Sequence, residues 1–281
     1  MSEHTSRQGF LGPESDDLLR SLTVGIIGLG GGGSHVTQQL AHVGIGNFVL
    51  VDPDRIEVSN LNRLIGGTLA DVLAKELKTV IASRVVHGVN PDAVVIEARC
   101  DWRHEAEQLR SCDVLVGCVD SYRARSELEV HARRYLIPYI DLGMDVHQQG
   151  DGSNLISGQV ILSLPGRPCM RCMGFLRDAL LEEEARRYGD AGPRPQVVWP
   201  NGLLASAAVG TLMHLFLPWG KRLHPSSYLE YDGNRQTLKS SHRLEHVGSR
   251  CSHFAQADLG DPWFSMGKMC PTEPSSSSIR T

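Results

Sequence analysis

An α/β fold with a Rossmann-like, doubly wound and mostly parallel sheet is predicted by three features of the sequence. Short apolar runs at 23–27, 47–51, 93–98, 113–119 and 138–142 alternate with helix-like segments at 34–43, 71–89, 102–110 and 122–135, the order in which parallel strands and crossover helices follow one another. The first run leads directly into Gly28-Leu29-Gly30-Gly31-Gly32-Gly33-Ser34. A strand, a glycine turn and a helix N-terminus in that order gather backbone N–H groups where they hold a phosphate. The second run ends in Asp52, where such a unit places a carboxylate for ribose hydroxyls.

Taken along the chain, residues 1–22 mix charges and form an N-terminal arm ahead of the first strand, Val24-Gly25-Ile26-Ile27. One domain is expected over 23–270, with a nucleotide-binding half at 23–145. In the glycine turn, Gly28, Gly30, Gly31 and Gly33 are the expected nucleotide-binding positions. After Gly143 the pattern changes. Residues 157–164 alternate as a half-exposed strand does, and 228–231 with 236–238 around Asp232-Gly233-Asn234 reads as a hairpin. The second half, 146–270, is therefore expected to extend the first sheet with antiparallel strands. Residues 189–200, rich in Gly and Pro, read as an exposed crossing loop, and 271–281 as a disordered tail.

Composition narrows the function. The chain has 281 residues, 41% hydrophobic and 21% charged, as in an ordinary soluble globular protein. A net charge of −4 argues against broad electrostatic binding of nucleic acid or anionic membrane. The most apolar stretch, 203–217, carries His214 and runs into Pro218, which suits a buried helix better than a bilayer span. No export signal is evident at the N-terminus. A cytoplasmic location is expected, and there seven cysteines read as core thiols, metal ligands or nucleophiles. Cys100, Cys112 and Cys118 fall in or beside apolar runs and read as packed thiols.

Past Asp52 the chain reads Asp54-Arg55-Ile56-Glu57-Val58-Ser59-Asn60-Leu61-Asn62-Arg63, then Lys78, then Gly117-Cys118-Val119-Asp120. A nicotinamide dinucleotide needs one pyrophosphate neutralised, which a helix N-terminus largely supplies, whereas a triphosphate calls for extra cations and a metal. Arg63 and Lys78 would be those cations. The short polar side chains of Ser59, Asn60 and Asn62 suit a loop folded around phosphates. Asp120 ends an apolar strand at the carboxyl edge of the sheet, where doubly wound proteins bind ligands; a helix N-cap for the segment after it is its other reading.

These motifs together resemble the ThiF/MoeB/HesA family of adenylyltransferases, relatives of ubiquitin-activating enzymes. The resemblance begins at Arg7-Gln8, takes in the glycine loop, the Asp52 to Arg63 block, Lys78 and the Asp120 strand end, and reaches a Cys-x-x-Cys at 169–172. It implies an ATP-dependent reaction in which a carboxylate attacks the α-phosphorus, giving an acyl-adenylate and pyrophosphate. Carboxyl groups in water titrate at about pH 4, so the nucleophile is already ionised near neutrality and needs no base. The resemblance further implies that Arg7, Arg63, Lys78 and Asp120 carry catalysis and that Asp120, with Ser121 beside it, holds Mg2+ against the phosphates. Arg7 would act in trans within a homodimer. The substrate would be the C-terminal carboxylate of a small ubiquitin-like protein ending Gly-Gly. No cysteine lies between Met173 and Arg250, so an internal thioester on the crossing loop is not expected, and Cys270 is the remaining candidate nucleophile.

Cys169-Met170-Arg171-Cys172 follows Pro165-Gly166-Arg167-Pro168, a tight loop that suits a zinc knuckle. Many family members close such a site with a second Cys-x-x-Cys. This chain offers Cys251-Ser252-His253 instead, so a structural zinc held by Cys169, Cys172, Cys251 and His253 is expected, with Cys270 or His246 as alternatives for the last ligand. Two rival functions stand beside adenylation: an NAD-dependent oxidoreductase, which leaves Arg63, Lys78 and Asp120 unexplained, and a non-catalytic partner-binding scaffold of the same fold.

Overall fold

The computed structural model describes residues 5–186, 195–217, 219, 226–254 and 260. Within them one sheet contains β1 (Thr23–Ile27), β2 (Asn47–Val51), β3 (Val94–Ala98), β4 (Val114–Gly117), β5 (Tyr139–Gln148), β6 (Asn154–Ser163), β7 (Tyr228–Asp232) and β8 (Thr237–Ser240). Their spatial order is β3-β2-β1-β4-β5-β6-β7-β8. Neighbours from β3 to β5 are parallel, and those from β5 to β8 antiparallel. The second half of the chain thus continues the first sheet.

The helices are α1 (Ser15–Ser21), α2 (Gly31–Val43), α3 (Leu69–Ala74), α4 (Lys78–Val89), α5 (Ala106–Leu109), α6 (Tyr122–Arg134), α7 (Asp178–Arg186) and α8 (Val198–Phe216). Side chains alternate across a strand, so Phe48 and Leu50 join one apolar layer with Leu40 of α2 and Leu212 of α8, while Val49 and Val51 join the opposite layer with Leu109 and Leu128. Burial on both faces is why the central strands read as unbroken apolar runs. Each such Leu, fully buried, contributes roughly 1.5–3 kcal/mol of transfer free energy. No helix among the described residues is long and apolar enough to cross a membrane.

Several segments differ from the sequence reading, each for a local reason. The stretch 71–89 is two helices, because Leu77 bridges to Arg55, Ile56 N–H donates to Glu76 O, and Lys75 takes a left-handed φ of 52°. That break makes Lys78 the first residue of α4. Strand β5 runs on to Gln148 because β6 pairs with it along its whole length. Val198 already begins α8, and Pro200 sits in its first turn, where a missing N–H costs nothing. Within the arm, a 3-10 turn at Ser6–Leu11 and helix α1 are additional elements, as is α7 beyond the knuckle. Most of the expected crossing loop, the tail and Cys270 lie outside the described residues.

Candidate functional site

The glycine turn is held open by backbone geometry that side chains would destroy. Gly28 has φ 87° and donates its N–H to Val51 O at 2.9 Å, and a Cβ on Gly33 would overlap the Gly28 carbonyl oxygen. Gly33 therefore lets α2 approach β1, and it does not line the cleft. A Cβ on Gly31 would lie 2.5 Å from Asn201 Nδ2. The N-cap of α2, Gly30, brings no capping side chain, so among the described residues no side chain caps the start of α2, the kind of helix end that suits an anion. Asp52 accepts from Leu29 N–H at 2.6 Å with Oδ2 and from Asp54 N–H at 2.8 Å with Oδ1. Burial pushes its carboxyl above the usual range, against the pull of Lys78 and those amides. It secures the turn as well as lining the cleft.

In front of the turn lies a cleft of about 440 Å³ whose walls include Gly28, Gly30, Gly31, Asp52, Asn60, Arg63, Lys78, Asp120 and Ser121. It sits at the carboxyl ends of the parallel strands. Lys78 enters from α4, its Nζ 2.7 Å from Asp54 Oδ2 and 3.7 Å from Asp52 Oδ1. Arg63 follows a 3-10 turn (Val58–Asn60) closed by Glu57 and Asn60 as a capping box, and its Nη1 donates to Ser59 O at 2.6 Å and Asn62 Oδ1 at 2.9 Å. Ser59 and Asn62 thus shape the loop rather than the wall: Asn62 Nδ2 reaches across to Gln196 O at 2.9 Å. Ser121, not Asp120, caps α6, accepting from Ala124 N–H at 3.1 Å. Asp120 stands exposed on the cleft wall and does not serve as the cap; a carboxylate is among the oxygen ligands that Mg2+ takes.

Three contributors escaped the sequence reading. Arg125 is buried on the cleft wall, ion-paired with Asp141 and donating to Leu142 O at 3.2 Å and to Val119 O. Asn201 of α8 meets the glycine turn. Glu184 of α7 accepts from Tyr122 N–H at 3.0 Å, Arg123 N–H at 2.9 Å and Ser121 Oγ at 3.3 Å, covering the start of α6. Only Arg125 carried a signal, a cation five residues after Asp120 on the cleft-facing helix. Cys100 and Cys118 line the cleft, and burial raises both thiols, which keeps them protonated. Arg7 is exposed on its 3-10 turn and does not line the cleft of its own chain.

Away from the cleft lining, the ligand atoms of Cys169, Cys172, Cys251 and His253 lie within 4.8 Å of one another. A Zn–S bond of about 2.3 Å makes the tetrahedral S–S edge about 3.8 Å. The observed Sγ separations are 3.6 Å for Cys169 and Cys172 and 3.7 Å for Cys172 and Cys251. His253 Nδ1 stands 3.5 Å from Cys169 Sγ and 3.3 Å from Cys172 Sγ. The quartet fits a closed zinc site. Burial opposes ionisation of Cys251, yet the His253 N–H, the Cys169 thiol, the Phe254 N–H and the Cys172 thiol draw it below the ordinary thiol value. His246 is not in the cluster, and Cys270 lies outside the described residues.

Comparison with known proteins identifies the family and the fold. The ThiF family model matches residues 3–253. The sulfur carrier protein adenylyltransferase of Thermus thermophilus is 31% identical over 243 residues, covering 85% of this chain and 86% of that protein. The SAMP-activating enzyme E1 of Haloferax volcanii is 34% identical over 165 residues, 58% of this chain; the match spans only 57% of that enzyme's own length. The crystal structure of E. coli MccB with MccA-N7isoASN superposes with a TM-score of 0.72 at 21% identity, covering 90% of this chain and 74% of that one, a likeness of fold.

Proposed function

The chain belongs to the ThiF family, and on that premise we propose that it is an ATP-dependent adenylyltransferase acting on the C-terminal carboxylate of a small ubiquitin-like protein that ends Gly-Gly. The observation that carries this reading is the convergence of Arg63, Lys78 and Asp120 with the glycine turn on one cleft. A nicotinamide-dinucleotide reading leaves that set of charges unexplained. The glycine turn and the open end of α2 cradle phosphate oxygens, and Arg63 and Lys78 oppose the negative charge that grows as pyrophosphate departs. Asp120 would hold Mg2+, which supplies further charge neutralisation on the phosphates when bound. The incoming carboxylate needs no base, and the cleft offers no catalytic His among the described residues.

In the same reading the protein works in the cytoplasm as a homodimer, with Arg7 of each chain reaching the other's cleft. Cys169, Cys172, Cys251 and His253 hold a structural zinc that ties the C-terminal segment to the sheet. The adenylate passes to an external acceptor, since 173–250 contains no cysteine. Calorimetric titration with Mg·ATP and with NAD+ tests the nucleotide assignment. Binding of Mg·ATP alone is expected, and binding of NAD+ without ATP would overturn it. Pyrophosphate exchange that depends on a Gly-Gly-ending protein then tests the substrate class.

A further inference from the structure

Between the metal cluster and α6 lies a buried polar network that neither nucleotide binding nor metal ligation uses. Glu129 and Arg133, one turn apart on α6, are both about 1% exposed. Glu129 Oε1 accepts from Met170 N–H at 2.8 Å and from Ser163 Oγ at 2.5 Å. Arg133 donates to Ser163 Oγ at 3.1 and 2.8 Å, to Arg167 O at 3.0 Å and to Pro168 O at 3.1 Å. Its guanidinium also lies 4.9 Å from the centre of the Phe254 ring.

The partners of this pair bracket the ligands. Pro168 and Met170 flank Cys169, and Phe254 follows His253, so one ion pair touches both of the chain segments that must meet at the metal. A planar guanidinium can donate to two carbonyls and a hydroxyl while its face packs on an aromatic ring, which an ammonium cannot do. Burying two charges is costly unless both are fully bonded. Hydrophobic residues would have served simple packing here.

We propose that Glu129 and Arg133 are positioning residues for the metal knuckle: they set the Cys169–Cys172 turn and dock the Cys251–His253 segment onto it before metal arrives. The proposal rests on the reading of the four-residue cluster as a zinc site. Partners that orient ligands in this way commonly contribute 10- to 100-fold to metal affinity.

The test uses the full chain, with zinc titrated against a chromophoric chelator and Mg·ATP affinity measured on the same samples. A single Glu129→Gln leaves a buried unpaired guanidinium and can unfold the protein, so the key variant is the double Glu129→Gln/Arg133→Met, which removes both charges at similar volume. Arg133→Lys is its companion, keeping the charge without the fork. Both variants are expected to weaken zinc binding 10- to 100-fold, with ATP affinity within about threefold of the parent protein. Zinc affinity unchanged in both variants would overturn the positioning role. A parent protein that binds ATP yet takes up no zinc would overturn it too, while leaving the adenylyltransferase reading intact.

Discussion

Lys78→Met isolates the charge on which the nucleotide assignment depends. The side chain of Lys78 is 11% exposed, so water screens it weakly, and a phosphate oxygen about 4 Å away at an effective dielectric of about 20 interacts with it by roughly 4 kcal/mol. Two carboxylates and one ammonium now sum to −1 at Asp52, Asp54 and Lys78; without the ammonium the sum is −2. A triphosphate would then lose its one attractive partner in this group and face two carboxylates left uncompensated. Partial protonation of Asp52, whose carboxyl burial already pushes up, relieves part of this. At about 1.4 kcal/mol per decade, ATP affinity should fall on the order of 10²- to 10³-fold, and adenosine affinity far less. Asp52 keeps its two amide donors and the Asp54 side chain is 63% exposed, so the melting temperature should move little. Calorimetry with Mg·ATP and with adenosine makes the measurement. A folded variant that binds ATP within about threefold of the parent would refute the charge argument.

Two further outcomes are expected. His131 is fully buried between Trp102 and Tyr135, neither ring nitrogen has a hydrogen-bond partner among the described residues, and burial pushes its pKa down to about 4, with Glu107 opposing and Arg110 adding to the shift. Its folded value lies below the unfolded one of about 6.5, so its contribution is complete above that pH and is lost as pH falls toward 4. Denaturant titrations at about pH 7.5 and 4.5 should show His131→Leu to be less acid-sensitive than the parent by about 2–3 kcal/mol; equal acid sensitivity would show that the imidazole charges without penalty. If Arg7 serves the partner's cleft, Arg7→Ala and Lys78→Met proteins each bind ATP weakly, yet unfolding and refolding them together in equal amounts restores about one tight site per four chains, because half the dimers then pair one intact Lys78 with one intact Arg7. No recovery on mixing would place Arg7 in its own chain's service or in none.

What could be read from residues alone follows from which forces are local. Strands β1 and β2 were legible to their end residues because both faces are buried and the apolar runs stop where the burial stops. The far half of β5 was not, since residues past Gly143 pair with β6 through backbone groups that leave no mark on composition. The break before Lys78 is imposed by the pairing of Leu77 with Arg55, a contact between segments that periodicity within 71–89 does not register. Cap assignment slipped by one residue, from Asp120 to Ser121, because both types cap well and only backbone direction chooses between them. Cys169 and Cys172 announce themselves by spacing, and His253 follows from its proximity to Cys251. Glu184 and Asn201 reach the site from distant helices, a matter of tertiary geometry.

The occupied start of α6 has a directional consequence. Helices α2 and α6 follow β1 and β4, adjacent parallel strands, so both point positive ends toward the same rim. Among the described residues no side chain caps the first end, and the other already holds the carboxylate of Glu184. The positive end of α6 is thus offset by a carboxylate from within the chain, whereas that of α2 opens on the glycine turn that lines the cleft, so the two helix ends do not offer an incoming anion the same welcome.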